Sequence, residues 1–302
     1  MEWHAAATLA RGALMDPRTL ADAEGAHAAP LTAGAAAGPT PTPQVPRWAW
    51  ALPLLLLLCS APLWLHWYEP TMFLQINQWC AKVAAPVWTG LSMLGNAWAI
   101  LGLTAPFIIY APRVVWAWLC AAPFAIVFAR GGKALLESPR PAAEIDNSQM
   151  RIVGEVLHNV SMPSGHTLTA FAVASGIYFS LTPARRLRHS WLFVLAAGAG
   201  LSRIAVGAHW PGDVAVGAAL GLWCGMWGQS LLARMGPAHD QPGAWSLRGV
   251  AVLLLLALYH LLAEELDFAE NHGFQGGLAL VTAVSLGMFG WRSFGKLQGQ
   301  RT

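Results

Sequence analysis

The chain has 302 residues, of which 56% are hydrophobic and only 11% charged, against roughly 25% charged residues in soluble domains. With 16 Trp and a formal charge of only +3, the composition points to an integral membrane protein and argues against a nucleic-acid partner. The four cysteines, Cys59, Cys80, Cys120 and Cys224, lack metal-ligand spacing, so no disulfide framework and no metal site is expected.

Residues 1–46 are rich in Ala, Gly, Pro and Thr without a sustained period, and read as a disordered cytoplasmic tail. This tail does not have the form of a signal peptide, because the first apolar run begins only near Trp48. That run, Trp48 to Trp67, is close to the roughly 20 residues that a bilayer requires. Residues 70–94 mix Gln75, Asn77, Gln78 and Lys82 with apolar residues, which predicts an amphipathic interfacial helix or a re-entrant piece. Further spans are predicted over 96–111, 114–136, 164–181, 191–206 and 211–232, with a polar connection over 138–162 and a basic turn over 183–189. Two last apolar runs, 250–263 and 277–291, follow a polar linker. The expected fold is all-α: a polytopic membrane helix bundle with a six-span core over 47–233, then a linker and C-terminal helical hairpin over 234–302.

Charge sets the expected orientation. With the N-terminus in the cytoplasm and sides alternating, the 18 basic residues divide as 12 inside and 6 outside, as the positive-inside rule requires. The acidic group Glu264, Glu265, Asp267 and Glu270 then falls outside, together with the 138–162 connection.

Three clusters land on that same outer side, at the ends of different spans: Lys133 with Arg140-Pro141, Pro163-Ser164-Gly165-His166, and Ser202-Arg203 with His209 and Asp213. Ionisable groups near apolar spans are costly unless paired or functional, so such a concentration requires a reason. Together the clusters form a phosphate site. Lys133, Arg140 and Arg203 supply three cations, and an arginine fork matches phosphate oxygens. Ser164 and Ser202 add hydroxyl donors, and the backbone N–H groups of Gly165 and His166 open a helix, where anions are favoured. His209 and Asp213 stand one helical turn apart, so the carboxylate can hold one ring nitrogen and leave the other lone pair facing phosphorus. That assigns His209 as nucleophile, Asp213 as its orienter and His166 as the acid that protonates the leaving oxygen. Three cations can meet the charge of the transferring group without a metal ion.

Lys133…Arg140-Pro141, Pro163-Ser164-Gly165-His166 and Ser202-Arg203…His209…Asp213 resemble the three-part signature of the type 2 phosphatidic acid phosphatase family, within the lipid-phosphatase and vanadium-haloperoxidase superfamily. The resemblance covers the signature within 133–213 and the six-span core over 48–232, and resembles the membrane branch. It implies phosphate binding by Lys133, Arg140, Ser164, Gly165 and Arg203, a phosphohistidine at His209, an acid at His166, and no metal ion or other cofactor. The implied activity is removal of a terminal phosphate from a lipid phosphate or diphosphate at the outer face of a bacterial inner membrane. The partners are then the bilayer and a membrane lipid phosphate, with no nucleic acid. Polyprenyl diphosphate and glycerophospholipid phosphate are the expected substrate classes. A lipid A phosphatase, a lipid phosphotransferase using the same intermediate, and a lipid transporter or scramblase are the competing readings. Outside the signature, Arg130 and Arg151 read as interfacial anchors, His66 and His260 as packed or interfacial residues, and Gly217, Gly221 and Gly225 as close helix contacts.

Overall fold

The computed structural model describes residues 43–236, 239 and 244–299, and among them every regular element is helical. Most of the expected tail, residues 1–42, lies outside the described residues. Residues 43–46 do not behave as part of a loose tail. Their carbonyls are held by buried side chains: Gln229 Nε2 donates to Pro43 O at 2.7 Å and Arg186 donates to Gln44 O at 2.9 Å. Side-chain capture of backbone carbonyls leaves no periodic trace in the captured segment, so composition alone does not reveal it.

The first three crossings are broken helices, where the sequence predicted continuous ones. α1 (Leu52–Cys59) stops at Ser60 and resumes for one turn, Ala61–Trp64, around Pro62, whose ring nitrogen cannot donate to the preceding turn. α2 (Thr71–Cys80) is the expected amphipathic helix. Its buried face of Phe73, Asn77 and Cys80 follows helical spacing. α3 (Ala85–Ser92) passes through the tight turn Met93–Gly95 into α4 (Ala97–Thr104), and that crossing breaks at Ala105-Pro106 before a last turn, Phe107–Tyr110. Asn96 caps α4, its Oδ1 accepting from the N–H groups of Trp98 at 3.0 Å and Ala99 at 3.3 Å. The next crossing is α5 (Pro112–Leu119) and α6 (Ala122–Leu136), interrupted at Cys120-Ala121 just before Pro123.

α7 (Gly165–Ser180), α8 (Trp191–Ala205) and α9 (Pro211–Leu232) form the centre, with α7 and α9 in the most extensive contact of the molecule. Glycine makes that approach possible. A Cβ on Gly217 would stand 2.7 Å from the Ser164 carbonyl oxygen, and Gly221 and Gly225 face the α7 backbone in the same way. The C-terminal hairpin, α10 (Trp245–Ala263) and α11 (His272–Gly299), is longer than predicted at both helices and packs against α4.

The outer surface explains the composition. Leu54, Leu55 and Leu58 on α1 and Val252, Leu255 and Leu262 on α10 are exposed, as a lipid-facing surface requires. Exposed tryptophans sit near the two ends of the bundle: Trp48, Trp191, Trp245 and Trp291 at one, Trp67 and Trp79 at the other. Such pairs of girdles mark membrane–water interfaces. Four helical stretches, Pro112–Glu144, Pro211–Leu232, Trp245–Ala263 and Ala269–Ser293, are long and apolar enough to cross a bilayer. The protein is a polytopic helical membrane protein.

Candidate active site

The clusters meet at the end of the bundle where α6 and α8 finish and α7 and α9 begin. Lys133 is on the last turn of α6 and Arg203 on the last turn of α8, while His166 and Asp213 are on the first turns of α7 and α9. Arg140 immediately precedes a single turn, Pro141–Glu144, and His209 lies in the short link between α8 and α9. Helix direction therefore gathers two helix N-termini and two cation-bearing C-termini around one point.

At that point His209 is 2% exposed. Its Nδ1 is 3.2 Å from Asp213 Oδ2, and the same carboxylate oxygen accepts from the Trp210 N–H at 2.9 Å and from the Ser161 hydroxyl. Ser161 Oγ also lies 3.2 Å from His209 Nδ1. On the other side of the ring, Arg140 Nη1 approaches His209 Nε2 at 3.4 Å. An arginine can only donate, so Nε2 is the accepting nitrogen and the ring proton resides on Nδ1, toward the carboxylate. The tautomer that a nucleophilic histidine needs is thus set from both sides. Burial first, then Arg140, Arg203, Lys133 and His166, hold His209 well below the ordinary histidine value, which keeps it neutral.

The cations are themselves fixed. Arg140 is 4% exposed; its Nε donates to Asn159 Oδ1 at 2.6 Å and its Nη1 to Ala208 O at 2.8 Å. Arg203, 5% exposed, donates through Nη1 to Ser92 Oγ at 2.6 Å and lies over the Phe268 ring. Its Nε has no hydrogen-bond partner among the described residues, so one donor is buried and unused. Lys133 lies within Coulombic range of Arg140, Arg203 and Asp213. Three like charges held this close are expensive unless an anion joins them.

The Pro163–His166 stretch supplies the opposite wall. Ser164 is fully buried, its N–H donating to Asp213 O at 3.1 Å and its Oγ accepting from Thr167 Oγ1 at 2.9 Å, which leaves its own hydroxyl hydrogen free to donate. Around Gly165 the space is open, since a Cβ there would meet nothing within 4 Å. His166 Nε2 is 3.0 Å from Asp267 Oδ2, in the loop between α10 and α11. A cavity of about 570 Å³ opens beside Arg203, walled by residues of 152–157 and 265–270, including Asp267 and Phe268. That volume lies within the range of small-molecule pockets.

Seven of the nine residues expected from the sequence, Lys133, Arg140, Ser164, Gly165, Arg203, His209 and Asp213, therefore surround one space, with His166 at its edge. Ser202 differs. Its hydroxyl donates to Ala199 O at 2.7 Å within its own helix, so it has no hydrogen to offer a phosphate in this arrangement. Ser161, Ser92 and Asp267 were not singled out as site residues by sequence reasoning, whereas Asn159 is a flanking candidate for headgroup contact there. Asn159 and Ser161 lie in the connection adjoining Pro163, which is the one local signal for them, and Asp267 belongs to the acidic group expected on this side.

The structure is similar to the crystal structure of Aquifex aeolicus LpxE, at 27% identity and a TM-score of 0.46, over 53% of this chain and 93% of that one. It is also similar to that of a transmembrane PAP2-type phosphatidylglycerolphosphate phosphatase from Bacillus subtilis, at 20% identity and a TM-score of 0.45, over 62% and 98% of the two chains. No curated protein matches the chain. The family model for the PAP2 superfamily matches residues 114–234. That segment contains all three clusters and the helices that present them, and over it this chain is similar to the PAP2 superfamily.

Proposed function

We propose that this protein is a membrane lipid phosphatase that removes a terminal phosphate from a lipid phosphate or diphosphate through a phosphohistidine at His209. The observation that carries the reading is the arrangement around His209. Its Nδ1 is held by Asp213 at 3.2 Å, and its Nε2 faces the guanidinium of Arg140 at 3.4 Å. A neutral imidazole with its free lone pair among three cations is suited to attack a dianion that those cations bind.

In the proposed reaction, Lys133, Arg140 and Arg203 bind the phosphoryl oxygens, with the Ser164 hydroxyl and the backbone at Gly165 adding donors. Nε2 of His209 forms a bond to phosphorus as the bond to the leaving oxygen breaks. The leaving oxygen takes that bond's electron pair and a proton from His166. Asp213 stabilises the positive ring of the phosphohistidine. Water then attacks phosphorus, its proton passes to the neutral His166, and the N–P bond breaks to release phosphate and restore both histidines. The positive-inside distribution supports a site on the outer face of a bacterial inner membrane, with a cytoplasmic N-terminus. The six-span core over 47–233 carries the phosphate-binding residues and both histidines in this reading, and 234–302 follows it.

The test is phosphate release by the purified protein in detergent, against polyprenyl diphosphate, phosphatidylglycerol phosphate, phosphatidate and lipid A. At least one should be hydrolysed, with free phosphate matching substrate loss; transfer to a second lipid would break that balance. His209→Ala should lower the rate by roughly 10⁴-fold while leaving the thermal melt in place. Full activity in that variant refutes the mechanism. In sealed spheroplasts a short-chain, impermeant lipid phosphate should be hydrolysed without lysis; hydrolysis only after lysis refutes the orientation.

A further inference from the structure

The two histidines of the site are each held by an aspartate, but on opposite ring nitrogens. Asp213 takes Nδ1 of His209, while Asp267 takes Nε2 of His166, with Oδ2 at 3.0 Å. Asp213 lies within the segment that matches the PAP2 superfamily, residues 114–234, whereas Asp267 lies outside it, in the loop of the C-terminal hairpin. We propose that Asp267 is a positioning residue for His166 in the reaction above, so that the C-terminal hairpin is part of the catalytic unit. The inference rests on that reading of the site.

The loop is built to hold the carboxylate still. Asn96 Nδ2 donates to the same Asp267 Oδ2 at 2.9 Å, and Asn96 is itself fixed as the cap of α4. Asp267 adopts φ 57°, in the left-handed region that aspartate tolerates better than most residues. On its two sides the loop is tied down by buried amides. Gln275 Nε2 donates to Leu261 O at 2.9 Å, and Asn271 Nδ2 donates to Thr89 O at 3.0 Å. Phe268 is 4% exposed and packs on Arg203. His166 is walled from behind by Gly95, where a Cβ would stand 2.6 Å from the His166 Cβ. The ring is therefore held between the α3–α4 junction and the hairpin loop.

The charges facing His166 explain why it requires a carboxylate. Arg203 at the end of α8 and Arg140 beside His209 are the cations acting on the ring, and His209 is close as well. Asp267 is the acidic group in that set, and a carboxylate at one nitrogen favours the doubly protonated ring. With Nε2–H held by Asp267, Nδ1–H is the nitrogen left to donate to the leaving oxygen. Burial pushes the Asp267 carboxyl up, but His166, Asn96 and Arg203 together hold it well below the usual carboxylate range, so it stays ionised at working pH. The two carboxylates thus divide the labour: one exposes a lone pair on His209, the other orients the ring of His166 through its Nε2.

Leaving-group dependence tests this. The full chain in detergent is assayed with octyl phosphate, whose alkoxide needs a proton to leave, and with p-nitrophenyl phosphate, whose phenolate does not. Asp267→Asn should lower kcat/KM for octyl phosphate by about 10- to 100-fold and leave p-nitrophenyl phosphate within about threefold. Asp267→Glu, which keeps the charge, should move the ratio back toward wild type. Equal losses on both substrates, or no loss on either, overturn the proposal and leave Asp267 a packing residue. A Glu variant with a ratio as poor as that of Asn overturns it too. If Asp267→Asn does not fold, Asp267→Ser is read by the same ratio. His209→Ala run alongside should lose both substrates; if it retains them, the phosphohistidine reading fails irrespective of Asp267.

Discussion

The α7–α9 seam and the α10–α11 hairpin are built from similar apolar, glycine-containing helices and use them differently. In α9 the membrane window is 61% buried, against 28% in α10 and 33% in the α11 stretch. Gly217, Gly221, Gly225 and Gly228 of α9 each face another backbone closely, so a side chain has no room. Gly276, Gly277, Gly287 and Gly290 of α11 have nothing within 4 Å of a Cβ. Residue type alone therefore does not indicate a contact; only the facing surface does. The seam positions the reacting groups by close packing, because Gly217 sits against Ser164 itself. The hairpin is lipid-facing along its length and reaches the site only through its loop, where Asp267 touches His166.

The sharpest way to separate the two regions is chemical. Asp213→Asn keeps the shape of the α9 side chain but removes the charge that orients His209, and should lower kcat/KM by about a thousandfold for every substrate regardless of leaving group. If it showed instead the leaving-group selectivity expected of Asp267→Asn, the two carboxylates would not have separate roles. Next in size is a stability contrast. Gly217→Ala places a methyl against the Ser164 carbonyl and should cost about 1–3 kcal/mol, read as a lower melting temperature in detergent. Gly287→Ala meets open space on α11 and should raise the melting temperature slightly, by about 0.5–1 kcal/mol of added stability. Equal effects at the two positions would contradict the difference in packing.

The smallest effect is on the pH profile. A histidine held below its ordinary value stays neutral as pH falls through about 6.5, so the acid limb of kcat/KM set by His209 should lie below that value. Asp267, also held low, stays ionised across the same range and adds no limb of its own. Glu69, pushed up to about 7 chiefly by burial, titrates in this window behind Trp210, so the profile is compared with that of Glu69→Gln. An acid limb at or above 6.5 in both proteins, after allowing for substrate ionisation, would show that the cations do not keep His209 neutral.

Much of this molecule was legible before its structure, for reasons of length scale. Hydropathy over some 20 residues marks a crossing, so the membrane class and the spans over 114–136, 164–181, 191–206 and 211–232 follow from local composition. The His209–Asp213 pair is likewise local, since four residues at the start of a helix make one turn. The three clusters follow from alternation of sides, which brings the ends of α6 and α8 to the starts of α7 and α9. Local pattern is silent on groups that meet across the bundle. Ser161 on His209, Ser92 on Arg203 and Asp267 on His166 are ordinary polar residues in loops or at helix ends, far apart in the chain. The hydroxyl of Ser202 turned to its own helix and the carbonyls of Pro43 and Gln44 held by Gln229 and Arg186 are equally unmarked. Periodicity reports which face of a helix is apolar. Which buried donor finds which acceptor is decided only when the helices are packed, and there an unpaired polar group is too costly to leave.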